Sequence, residues 1–212
     1  MSFLPVPQRF WRMLSATLVL ACCALMPRAF ATTVVPPEFN TLVNTSDYVV
    51  RAVVKSVTGE ERTAPSGAKL IFSRVELEVK QVIAGQAPSP LVLDVLGGKF
   101  GGREMAIGGA PKFNVGDEAI YFVQGNGHQI YPLTAMMHGL YPIKKEAGTG
   151  REYVTRSNGE PMHDVRQVSQ SMDAGAGTST MTKSQAAAVA LSPSDFILNI
   201  RATAKAPQLR EK

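Results

Sequence analysis

The chain has 212 residues, is 45% hydrophobic, and carries 22 Lys and Arg against 17 Asp and Glu, a formal net charge of +5. That length suits one domain with appendages, and the apolar fraction excludes wholesale disorder. With 2 Cys, 18 Gly and 14 Pro, the chain is neither a disulfide-dense miniprotein nor a collagen-like fibre.

Residues 1–31 read as a secretory signal peptide. Arg9 and Arg12 precede an apolar run from Met13 to Met26, and Ala29-Phe30-Ala31 supplies a small-x-small cleavage pattern. The run is shorter than the roughly 20 apolar residues that a membrane span needs. Lipid attachment at Cys22 fits poorly, because Leu20 precedes Ala21-Cys22 where small residues are required. Cleavage before Thr32 removes Arg9, Arg12, Arg28 and no acid, which lowers the formal charge from +5 to +2. It also removes Cys22 and Cys23, so the exported chain has no thiol chemistry and no Cys-based metal site. A near-neutral body gives no electrostatic argument for nucleic acid, and the mature chain is expected to have no integral membrane span.

Phe39, Leu42 and Val43 stand at i, i+3 and i+4 after Pro36-Pro37, the apolar face of a short helix. Tyr48 to Val57 follows as a Val-rich strand, with Tyr48, Val50, Ala52 and Val54 on one face. Thr58 to Ala68 reads as a hairpin loop. Lys69 to Ile83 then alternates cleanly: Ile71, Ser73, Val75, Leu77 and Val79 on one side, Arg74, Glu76, Glu78 and Lys80 on the other. A strand separates those charges, whereas a helix would scatter them. This pair is expected to be antiparallel. Leu91, Leu93 and Val95 mark a third strand and Glu118 to Val123 a fourth main one. Shorter strands are expected over Glu104–Ile107, Gln129–Leu133, Gly139–Lys144 and Arg151–Thr155, with Asn126-Gly127 as a hairpin turn.

The tail changes character. Ser169 to Thr182 is rich in Ser, Thr, Gly and Ala without periodicity, which predicts a flexible linker over 169–182. Thr182-x-x-Gln185 and Ser192-Pro193-Ser194-Asp195 are helix starts, and Phe196, Ile197 and Ile200 give the second helix an apolar stripe to dock. The expected organisation is therefore a leader over 1–31, a β-barrel domain over 32–168, the linker, a helical segment over 183–205 and a disordered tail over 206–212.

No catalytic constellation stands out. Ser66-x-x-Lys69 has the spacing of a serine nucleophile and its lysine base, but Pro65 and Gly67 break the helix which that chemistry needs. His128, His138 and His163 lack metal-ligand spacing, and Asp117 belongs to a Gly116-Asp117 turn, so neither metal nor cofactor is expected. The stretch Gly97-Gly98-Lys99-Phe100-Gly101-Gly102-Arg103 is the unusual one. Its glycines mark a kinked connection, or its exposed N–H groups with Lys99 and Arg103 form an anion-binding loop. It carries no nucleotide fingerprint.

The run Phe39 to Val57, the Gly97-Gly98 pair, Gly109 to Glu118 and the Phe196-Ile197 helix together resemble a group of uncharacterised exported bacterial proteins. The layout is also similar to the netrin-like, tissue-inhibitor-of-metalloproteinase-like OB barrel. That likeness implies a mainly β fold, a small antiparallel OB-like barrel with a short N-terminal helix and a C-terminal helix. Those inhibitors present an N-terminal Cys to zinc, and Thr32 or Val34 would stand there here, so their chemistry does not carry over. The expectation is an exported, non-catalytic binding or accessory module whose partner is another exported protein. An inhibitor or chaperone of a co-exported protease is one alternative, and a hydrolase with an unrecognised site is the other.

Overall fold

A computed structural model describes residues 35–172 and 181–205. The expected leader over 1–31, most of the 169–182 linker and the tail over 206–212 lie outside the described residues. The chain divides after Thr33, and every described residue belongs to the second unit.

The fold is mainly β. Helix α1 (Phe39–Thr45) leads into strands β1 (Tyr48–Thr63) and β2 (Lys69–Gly85), then β3 (Leu91–Leu96), β4 (Gly98–Phe100), β5 (Arg103–Met105) and β6 (Glu118–Val123). A 3₁₀ turn at Met136–Gly139, β7 (Leu140–Lys145), β8 (Glu152–Val154) and a second 3₁₀ turn at Val165–Ser169 precede α2 (Lys183–Val189) and α3 (Pro193–Lys205). Among the described residues no helix is long and apolar enough to cross a membrane.

The long β1–β2 ribbon organises the molecule. It pairs antiparallel from Tyr48↔Gly85 to Thr63↔Lys69, with Val54 opposite Leu77 and Val57 opposite Val75. Register shifts after Val49, Arg51 and Val54 act as bulges and coil the ribbon. The six-stranded sheet has the order β3-β2-β1-β6-β7-β8. Both of its faces are buried at the centre. Tyr48, Val50, Ala52, Val54, Val75 and Leu77 enter one core together with Leu93, Tyr121 and Leu133. Val49, Ile120, Phe122, Tyr141 and Val154 enter the other, which α1 and α3 cover with Phe39, Leu42, Phe196 and Ile200. Burial on both faces explains why β6 reads as a continuous apolar run, Ala119 to Val123.

Four expectations change. The sheet does not close into a barrel: β3 and β8 are its ends. The segment expected as a strand over Gln129–Leu133 makes a single bridge, Leu133 to Val123, because it turns aside to cover β3. There Ile130 accepts from the Leu96 N–H at 3.0 Å, the Tyr131 hydroxyl donates to the Leu96 carbonyl at 2.8 Å, and the Asn126 amide donates to the Val92 carbonyl at 3.0 Å. The predicted loop over Thr58–Ala68 is mostly ladder, since β1 runs on to Thr63 and the turn occupies only Ala64 to Ala68. Polar residues pair on this exposed ribbon because ion pairs decorate it, Arg62 to Asp94 at 2.8 Å among them. The same turn holds Ser66, so no helix brings Ser66 towards Lys69; the Lys69 ammonium instead donates to Thr63 Oγ1 at 3.0 Å. The short strand expected over Glu104–Ile107 falls at Arg103–Met105.

A cleft beneath the glycine hairpin

The glycine run lies where the chain leaves β3 and folds back across the β1–β2 ribbon. Four backbone groups pin this departure. Besides the two bonds at Leu96, the Gly97 N–H donates to the Ile71 carbonyl at 2.7 Å and the Ser73 hydroxyl donates to the Gly97 carbonyl at 2.8 Å. Gly97 and Gly98 have φ of 101° and 125°, a region that residues with a Cβ rarely adopt. A Cβ on Gly98 would also overlap the Ser73 hydroxyl.

Gly98–Phe100 and Arg103–Met105 then form a hairpin of their own, with Gly101-Gly102 as its two-residue turn. Both turn glycines have positive φ, 55° and 76°, as a turn matching strand twist requires. The hairpin passes so close to β1 that a Cβ on Gly59 would overlap the Lys99 carbonyl oxygen. An isolated glycine in a strand, as Gly59 is in β1, is the sequence signal for such a passage.

The opposite wall is the segment from Ala106 to Asn114. Its far end is tied to β1, where Gly116 N–H donates to Val54 carbonyl and Val54 N–H to Asp117 carbonyl, each at 2.9 Å. The Asn114 side-chain amide donates to Asp117 at 2.9 Å, which confirms the turn role read for Asp117. Between the walls lies a cleft of about 490 Å³. Val57, Val95, Met105, Ile107 and Phe113 give it apolar walls, and Gly97, Gly98 and Lys99 form part of its rim.

Charge at the rim is largely matched. Lys99 meets Glu104 at 3.3 Å, and Arg103 is ion-paired with Glu61, which Lys69 also approaches at 3.4 Å. The two cations expected to complete an anion site thus already face carboxylates. Gly101 and Gly102 sit at the hairpin tip rather than against the cleft, so the structure gathers Gly97, Gly98 and Lys99 there and leaves the rest of the predicted set outside its lining. Tyr131 supports the floor through its bond to Leu96, and burial pushes its phenol up to about 12.

Chemically, the cleft wall is mainly apolar. Among its lining residues Ser73 carries the one hydroxyl, and that hydroxyl is committed to the Gly97 carbonyl. No His, Cys or Tyr lines it to act as base or nucleophile. Among the described residues no group of three His, Cys, Asp or Glu is placed to hold a metal ion. Asp94 is ion-paired with Arg62 at 2.8 Å and Glu118 with Arg51 at 2.6 Å, and neither carboxylate lines the cleft. A second cleft of about 610 Å³ lies between β2 and the 87–90 loop, where Pro88 and Pro90 face the Lys55–Glu76 ion pair. No protein-family model matches the chain, and none of the curated proteins matches it either.

Proposed function

We propose that this chain is an exported, non-catalytic binding or accessory module that receives an apolar part of another exported protein in the cleft beneath the glycine hairpin. The observation carrying this reading is the cleft itself: apolar walls on a hydrogen-bonded frame, a rim where Lys99 meets Glu104, and no His, Cys or Tyr in the lining. Binding sites of this kind are concave, mostly apolar and preformed. Export rests on the leader pattern over 1–31. An inhibitor of a protease calls for a projecting loop, whereas Gly98 to Met105 folds into a hairpin that packs on β1 and β2, which favours a receiving surface over a probe.

Ala106 lines the cleft and is exposed, so Ala106→Trp fills it without touching the core. A pull-down from the exported fraction is expected to retain a partner on the wild-type chain and lose it on Ala106→Trp, at unchanged melting temperature. Equal capture by both chains overturns the reading.

A further inference from the structure

We propose that the cleft is read by strand addition: an extended segment of another protein lies along the open edge of β5, drops a large apolar side chain into the cleft and sets an acidic residue against Lys112. The inference rests on the binding reading above and specifies how that binding is made.

The backbone pattern points to β5. In a two-residue hairpin the pair flanking the turn, Phe100 and Arg103, exchanges hydrogen bonds, so the next pair, Lys99 and Glu104, does not. The backbone groups of that pair therefore face outward. The Lys99 carbonyl faces β1, as its closeness to Gly59 shows. The N–H and C=O of Glu104 face the opposite way, along an edge with no third strand. The two end strands of the six-stranded sheet are engaged: β3 by the Asn126, Ile130 and Tyr131 groups, and β8 through Val154 N–H to the Leu191 carbonyl at 2.9 Å and Met162 N–H to the Val154 carbonyl at 3.0 Å. An unpaired edge beside a pocket is the arrangement that captures extended peptides, with main-chain bonds for affinity and a pocket for alternate side chains.

Charge selects the occupant. Lys99 and Arg103 are matched by Glu104 and Glu61, whereas Lys112 is exposed at the cleft and forms no ion pair among the described residues. Phe100 and Val57, 43% and 37% exposed, extend the apolar surface around the mouth. An extended segment with one large apolar residue and a neighbouring Asp or Glu satisfies all three features.

The probe is a phage-displayed library of short linear peptides, panned on the chain purified as the cell makes it. Enriched peptides are expected to carry a large apolar residue beside an acid and to lack a central Pro. Glu104→Ala keeps the N–H and releases Lys99 from its carboxylate, so binding is expected to hold or strengthen. Glu104→Pro, which removes an outward N–H that the β4 ladder does not use, is expected to weaken it about tenfold. Lys112→Glu is expected to weaken binding and flatten its salt dependence. N-methylation of an enriched peptide tests the same point without any change to the protein: loss is expected at every second residue, the inward N–H groups. Peptides that tolerate every N-methylation, yet lose binding on Ala106→Trp, overturn strand addition and leave the binding module standing. No enrichment over a bare-tag control, or binding indifferent to Ala106→Trp, overturns both.

Discussion

Three buried phenols show how single residues tie this fold to pH. Burial raises the pKa of Tyr121, Tyr131 and Tyr141 above the ordinary 10.0, Tyr131 to about 12, and Asp117 and Glu118 push Tyr121 further up. A folded-state value above the unfolded one means that their contribution is intact below the unfolded pKa. It is lost as pH rises, because the unfolded chain releases its phenolic protons first. Urea midpoints are therefore expected to stay flat up to about pH 9 and to fall between about pH 10 and 12, with phenolate absorbance appearing together with unfolding. Full ionisation at pH 10 in a chain that remains folded would contradict this assignment. Arg156 is the cationic counterpart. It is 2% exposed, its guanidinium donates to the Gln170 carbonyl, and burial lowers its pKa although Tyr141 and Glu160 favour the charge. Nothing in the sequence marks Arg156 or Arg151 as special. Arg151 nonetheless donates to the carbonyls of Ala187, Ala188 and Ala190 at 2.7, 2.8 and 3.0 Å, closing the C-terminal end of α2.

At the scale of elements, the β1–β2 ribbon carries the clearest link from pattern to packing. Leu77 is 4% exposed and sits opposite Val54, so Leu77→Ala is expected to cost about 2–5 kcal/mol in equilibrium denaturation. A loss under about 1 kcal/mol would mean that the apolar face is turned outward. The hairpin separates backbone from charge. Gly98→Val is expected to destabilise the chain, since φ of 125° and the Ser73 hydroxyl both oppose a β-branched side chain. Lys99→Ala removes an exposed charge, 77% accessible, and is expected to change stability by less than about 0.5 kcal/mol. Thermal melts of the two variants side by side decide it, and equal effects would remove the distinction between frame and rim. Capping boxes at α2 follow the sequence closely: Thr182 accepts from Gln185 N–H at 3.3 Å, and the Gln185 side chain accepts from Thr182 N–H at 2.9 Å.

For the whole molecule, export is the testable expectation. The leader pattern places the mature N-terminus at Thr32, and N-terminal sequencing of the exported chain is expected to begin there; a chain still starting at Met1 refutes it. Local pattern alone determined β2, the first ten residues of β1, their facing apolar sides, β3, β6, both C-terminal helices and the docking stripe of Phe196, Ile197 and Ile200, because period and capping are written in neighbouring residues. Tertiary structure decided whether the sheet closed. The answer depends on where the 126–131 loop finds hydrogen-bond partners, and those partners on β3 lie some thirty residues away in the chain. It also decided the meaning of the glycine run. Seven residues in a row cannot show that Ser73 and Gly59 stand against them, or that Glu61 and Glu104 meet the two cations. The cleft exists only because β1, β2, β3 and the 106–114 segment converge, and a cavity is a property of distances between elements rather than of any one of them.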